Sequence, residues 1–223
     1  SEDDIAFMVT PRLNAASRMA SPMDAFKLLS ATDEKEAAAL VIHLEKINQE
    51  RKTLVATIMK KVKKVLDERE EKDIIVIGDP TWRIGILGLV AGKVADEYGK
   101  PTFVWGREGS SNGSVIKGSC RSPKGGNIVE LMRASSDAFL DLGGHALAGG
   151  FSVTEENIHT LEEKLLTAYK TMTFVDESAD EEAPITIALA DLAERHFDAI
   201  DQFAPFGVGN AKPVFHFRES AVN

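Results

Sequence analysis

The chain has 223 residues, 43% of them hydrophobic and 27% charged, with a net charge of −9. That length can bury a core in one or two domains, and no apolar run approaches the roughly 18 residues of a membrane span. Acidic residues open the chain where a secretion signal is basic, and the lone Cys120 excludes an intrachain disulfide, which fits a reducing cytoplasm. Net acidity argues against a nucleic-acid binder, but its distribution weakens the objection. Segment 176–182 carries five acids, so the remainder sums to −4, while residues 51–64 hold six bases and no acid and residues 107–124 net +3.

Residues 5–20 mix apolar and polar positions without a start signal, as though the chain were entered in mid-domain. Ser21-Pro22 opens a short helix over 24–30. Thr32 reads as the N-cap of a second helix, with Asp33 and Glu34 at its positive end. Leu40, Leu44, Ile47, Leu54, Ile58, Val62 and Val65 then recur at three- and four-residue steps. With no Pro or Gly over 32–72, one helix of about 55 Å is predicted. It reads as a connector between lobes, with two ordinary bundle helices as the alternative.

The period then changes. Residues 73–78 form a buried strand ending at Asp79-Pro80, and 85–97 a helix whose Gly85, Gly88 and Gly92 share one face suited to close packing. Strands follow at 101–105 and 114–119, then a helix over 127–142, extended chain at 150–153, and a helix over 155–170 behind the N-cap Thr154. This alternation predicts an α/β domain over 73–173. An acidic linker covers 174–183. Strand 185–188, helix 191–203, a Gly-rich loop and strand 213–217 follow, as though a third module were cut short.

Four segments are unusual for core building. In Pro11-Arg12-Leu13-Asn14-Ala15-Ala16-Ser17-Arg18, two guanidiniums and an amide flank small residues, suiting phosphate or carboxylate; a solvated turn is the plainer reading. Lys117-Gly118-Ser119-Cys120-Arg121-Ser122-Pro123-Lys124-Gly125-Gly126 offers backbone N–H groups, hydroxyls and cations, the needs of a phosphate cradle or simply a polar loop. Its order is not that of a P-loop. In Gly143-Gly144-His145-Ala146-Leu147-Ala148-Gly149-Gly150, a histidine between glycine pairs is either open to a phosphate oxygen or structural. Residues 206–215, with Gly207 and Gly209, read as turn chemistry. Trp82 and Arg83 either stack on a base or close the core. No His, Cys, Asp or Glu spacing fits a metal site.

Taken in order, these segments resemble the RecJ-type single-strand DNA exonucleases of the DHH phosphoesterase superfamily. The family's P-R-[IL]-N-A-A-G-R matches Pro11 to Arg18, with Ser17 for the last glycine. W-H-x-G-V-x-G-I-V-A matches Trp82 to Ala91, with Arg83 for histidine. G-S-x-R-S matches Gly118 to Ser122, with Cys120 where glycine is common and its bulk close to the cradle. G-G-H-x-x-A-G matches Gly143 to Gly149, and F-G-x-G-N-x-x-P-x-F matches Phe206 to Phe215.

The resemblance implies an α/β fold in which a long connecting helix leads to a mixed-sheet DHH-associated domain and the start of an OB-type β-barrel. Residues 1–21 would be the tail of the catalytic domain, 22–72 the connector, 73–173 the DHH-associated domain, 174–183 a linker and 184–223 the start of the barrel. It implies 5′-to-3′ hydrolysis of single-stranded DNA in repair and recombination by a cytoplasmic parent enzyme using Mn²⁺ or Mg²⁺. The metal ligands would lie in an N-terminal half with an Asp-His-His triplet, leaving this chain substrate-binding, metal-free and inactive alone. His145 would be catalytic, and Arg12, Asn14, Arg18, Ser119, Arg121, Ser122, Gly143 and Gly144 would contact nucleic acid. A nano-RNA or nucleotide phosphatase of the same superfamily, or a non-catalytic nucleic-acid-binding module, are the alternatives.

Overall fold

Helix α1 (Thr10–Met19) buries Ala15 and Ala16 completely, and these small side chains let its backbone lie against the N-terminal half of a much longer helix. Between them, Ser21 caps α2 (Pro22–Ser30) by accepting from the Met23 amide, and Pro22 supplies the fixed φ of a first turn. The long helix α3 (Glu34–Asp67) is continuous over 34 residues, about 51 Å. Its cap is Asp33, which accepts from the Glu36 amide, and not the expected Thr32. The reason is geometric: the Asp33 carboxylate reaches the amide three residues on, one of the free N–H groups of the first turn, so the helix starts one residue later. The described residues of this computed structural model are 1–107, 115–172, 185–188, 192–207 and 209–217, so the linker expected over 174–183 falls outside them.

Along α3, Leu44 and Ile47 join the core made with α1, while Val55, Ile58 and Val62 join a second core. Val65, expected on the same stripe, is 45% exposed. One helix thus contributes to two apolar clusters, and Met19 of α1 packs against both.

The second core lies on one face of a five-stranded sheet of order β1-β2-β3-β5-β4, with β1 (Ile75–Gly78), β2 (Thr102–Gly106), β3 (Val115–Arg121), β4 (Asp141–His145) and β5 (Ala148–Thr154). Only β1 and β2 pair in parallel, so the sheet is mixed. Strand alternation sends Ile75, Ile77 and Val104 to the face covered by α3 and α4 (Ile84–Tyr98). Ile74, Val76, Phe103, Ile116, Cys120, Phe151 and Val153 point the other way, into a core closed by α5 (Ile128–Ala134) and α7 (Leu161–Thr171). A one-turn helix, α6 (Glu155–Ile158), precedes α7 behind the expected N-cap Thr154.

The helix expected over 127–142 is only half present. Asn127 caps α5, which stops at Ala134, and a short 3₁₀ turn carries Ala138 into the core. Leu140 then donates its amide to the Ser152 carbonyl at 2.8 Å, so the backbone satisfies itself in the sheet and continues as β4.

Residues 1–9 and 179–223 form a unit distinct from residues 10–178. Its described elements are a π-helical turn (Asp4–Val9), the parallel pair β6 (Ile185–Ile187) and β7 (Phe215–Phe217), and helix α8 (Glu194–Asp201). α8 is shorter at both ends than the expected 191–203.

Candidate functional site

Helix α4 covers only part of its sheet face, and beyond it the strands are bare. Across β3, β5 and β4 the register aligns Lys117, Ser152 and Asp141 in one row. Ser119, Gly150 and Gly143 make the next, and Arg121, Ala148 and His145 the third. Directly opposed residues share a face, so this surface carries hydroxyls, charges and glycines and no large apolar side chain. A Cβ placed on Gly143 would meet nothing within 4 Å. Sequence reading missed Asp141 and Ser152 as members of this platform, because it put 141 on a helix. The alternation of Lys117, Ser119 and Arg121 against Ile116, Gly118 and Cys120 was the available signal.

Arg121 closes the platform against α4. Its Nη1 donates to the Cys120 carbonyl at 2.7 Å, and its Nη2 would lie 3.0 Å from a Cβ on Gly88. Ser119 Oγ is 3.6 Å from the same point. Gly88 therefore leaves room for the guanidinium. One turn earlier, a Cβ on Gly85 would collide with the Arg18 backbone carbonyl, and Arg18 Nη1 donates to the Gly85 carbonyl at 3.4 Å. The expected glycine face of α4 thus seats α1 and Arg121, setting Arg18 and Arg121 about one helical turn apart.

His145 ends β4, exposed, and its Nδ1 accepts from the Leu147 amide at 3.4 Å. In the neutral ring this leaves the proton on Nε2, available to a phosphate oxygen. His145 stands in the same row as Arg121, two strand spacings or about 10 Å away. Ser122 is held to the β4–β5 turn through its amide and the Leu147 carbonyl at 3.0 Å, and Ile128 through the Ala146 carbonyl at 2.8 Å. The Ser122 hydroxyl is turned onto Gly126, where it closes the loop.

The remaining expected residues separate. Asn14 is exposed one turn before Arg18 on the same side of α1. Arg12 is on another side and pairs with Glu45 of α3 at 2.5 Å. Gly144, with φ +145° and its backbone against Ala148 and Gly149, serves the hairpin itself. Trp82 is buried in the core, whereas Arg83 is exposed at the start of α4.

Cys120 points away from the platform, onto Met132 Sδ at 3.7 Å, so its bulk does not enter the Ser119–Arg121 face. Burial pushes its thiol up to about 12. It should therefore resist a disulfide reagent such as DTNB at pH 8 in the folded chain and react promptly in denaturant. Rapid native labelling would show that this core opens.

Among the described residues no three His, Cys, Asp or Glu side chains group as metal ligands, and no helix is long and apolar enough to cross a membrane.

Residues 60–171 match the DHHA1 domain family. The single-stranded-DNA-specific exonuclease RecJ of Bacillus subtilis (strain 168) is 28% identical over 215 residues, covering 96% of this chain and 27% of that protein. RecJ of Thermus thermophilus is 30% identical over 218 residues, covering 95% and 30%. The crystal structure of the T. thermophilus protein in complex with Mg²⁺ aligns with a TM-score of 0.78 at 28% identity, over 95% of this chain and 32% of that one. RecJ bound to manganese aligns with a TM-score of 0.66 at 30% identity, over 78% and 43%. This chain spans less than a third of the length of those two sequence relatives. Those structures hold divalent metal. The helix threading two cores, the mixed sheet and the alignment over most of its length agree: the chain belongs to the DHHA1 domain family and is homologous to the C-terminal part of the RecJ single-strand-DNA-specific exonucleases.

Proposed function

We propose that this chain is the substrate-gripping part of a cytoplasmic 5′-to-3′ exonuclease acting on single-stranded DNA, inactive without a metal-binding half. The carrying observation is the bare sheet surface bounded by Ser119, Arg121, Gly143 and His145. A phosphate laid there meets a guanidinium, a hydroxyl and an imidazole N–H without displacing any apolar side chain. Arg121 neutralises the phosphate, Ser119 orients it, and Arg18 approaches from α1. His145 donates Nε2–H to an oxygen that gains charge as the bond breaks. When bound in the other half, Mn²⁺ or Mg²⁺ would activate the attacking water. Ser122, Gly144 and Arg12 act at one remove, through loop closure, hairpin geometry and the α1–α3 contact, and Asn14 extends the Arg18 side.

The domain division follows the same resemblance: residues 1–21 as a catalytic-domain tail, 22–72 as connector and 184–223 as the start of an OB-type barrel. A smaller phosphatase of the superfamily needs neither the 34-residue α3 nor a second unit, which favours the exonuclease reading.

Titrating labelled single strands with this chain tests the proposal. Each phosphate contact contributes about −0.7 to the slope of log affinity against log salt. Arg121→Ala should weaken binding alike for every base sequence and flatten the slope by about that amount. An unchanged slope would mean that the Gly/Ser/Arg segment is an ordinary loop.

A further inference from the structure

Beside α4, on the side away from the sheet, an open groove of about 920 Å³ runs between α3 and α4. Its floor is apolar, from Val55, Met59 and Leu89, and its walls carry Arg51, Lys52 and Lys93. Asp96 and Glu97 also line it, but at the far end, where Glu97 lies 3.9 Å from Lys63. Arg51 lies twelve residues before Lys63 on α3 and so lines the opposite, cationic end, toward the start of α4 where Arg18 meets Gly85. That is the positive end of α4, where Arg83 makes no side-chain cap.

Arg51 is set with care. Its Nη2 donates to Oδ1 of Asn48 at 2.9 Å, and Asn48 is fully buried. Asn48 Nδ2 and Arg51 Nε are buried donors without a hydrogen-bond partner. Neither Arg51 nor Arg18 forms an ion pair with an acid among the described residues. Burial, and then the Arg18 charge, hold Arg51 below the ordinary guanidinium value. A half-buried cation beside another cation, with no counter-ion and with orphan donors, destabilises a fold unless an anion completes it.

We infer that Arg51, aimed by Asn48 at the head of the α3–α4 groove, is a second phosphate grip, holding a phosphodiester next to the one at Arg121. Arg18 and Arg121 meet α4 at Gly85 and Gly88, Arg51 shares the adjoining groove with Leu89, and its apolar floor takes a sugar or base. A strand leaving the sheet surface is thereby led into the groove and away from Asp96. This inference rests on the single-strand reading above and adds a path and a subsite to it.

The test compares the 223-residue chain with Arg51→Gln, using 5′-phosphorylated thymidine oligonucleotides of one and of four residues. Affinity for the mononucleotide should stay within about twofold, while the tetramer loses about tenfold, the loss of one charge-assisted contact. The salt slope for the tetramer should fall by about 0.7. Arg51→Gln gives up the bond to buried Asn48 Oδ1 but relieves a like-charge contact, so its melting temperature should change little. A purely structural arginine instead predicts a marked fall, with tetramer affinity unchanged in the folded variant. Arg51→Lys keeps the charge without the fork and should fall between, and it carries the comparison if the glutamine variant melts early. Unchanged tetramer affinity and slope in both variants would overturn the inference. So would equal competition by polyglutamate, which would identify a carboxylate partner. If Arg121→Ala weakens binding and Arg51→Gln does not, only the second grip falls. If the parent chain binds no oligonucleotide, both readings fall.

Discussion

Gly85→Ala is expected to lower the unfolding temperature by about 6 °C and to weaken single-strand binding. The added Cβ would collide with the Arg18 carbonyl, a backbone atom that no rotamer change removes. Overpacking at such a contact costs about 3 kcal/mol, and the better helix propensity of alanine returns about 1, leaving a net loss of about 2 kcal/mol. At this size each kcal/mol shifts the midpoint by roughly 3 °C. Because α1 must retreat, Arg18 leaves the N-terminal end of α4, and affinity drops with stability. Two neighbours on the same helix face provide the contrast. Gly92→Ala meets only Arg121 Cγ at 4.0 Å and should stabilise by about 1 kcal/mol. Gly88→Ala meets the tip of Arg121 at 3.0 Å, so it should cost binding and little stability. Thermal melts and titrations of the three variants separate these outcomes. If all three behave alike, the glycine face is only a matter of propensity.

On the proposed exonuclease role, His145→Ala in a longer chain carrying a metal-binding half should cut turnover about a hundredfold and change single-strand affinity only fewfold. An N–H directed at an oxygen that gains charge binds the transition state better than the ground state, and losing such a donor costs about 3 kcal/mol. Stability should hardly change, because His145 is exposed and makes one 3.4 Å contact within its own turn. A folded variant with near-normal turnover would remove His145 from the mechanism. Joint loss of melting temperature, binding and turnover would make it a structural residue of the hairpin.

What the sequence disclosed and concealed follows from how far each signal reaches. The spacing of Gly85, Gly88 and Gly92 announced a close-packed helix face, but not that Arg18 and Arg121 fill it, since those lie 67 and 36 residues from Gly85 in the chain. The long apolar stripe of α3 was legible because helical periodicity accumulates over many turns. β4 was not. Its five residues include two glycines, which strands disfavour, and Ile128 to Met132 had already set a helical period. With β4 misassigned, the three-row surface was invisible, although its members Ser119, Arg121, Gly143 and His145 had each been singled out. Trp82 remained ambiguous because an indole beside a strand end serves a core and a base equally well. Arg51 and Asn48 were hidden for a different reason: on a helix rich in bases, only tertiary neighbours distinguish one arginine from its fellows.

The passage of α3 through two cores also makes it a ruler. Between the α1 contacts at Leu44 and Ile47 and the α4 contacts from Val55 onward lies less than three turns of helix. Any insertion there changes length and phase together, by about 1.5 Å and 100° per residue. Seven residues are the exception: they return each apolar face to within about 20° while parting the two cores by about 10 Å. Both faces of α3 would keep their phase, yet Met19, which packs against both clusters, would leave one of them, and Arg18 would no longer meet Gly85. Spacing and helical phase are thus separable along α3, and Met19 is the side chain that ties the one to the other.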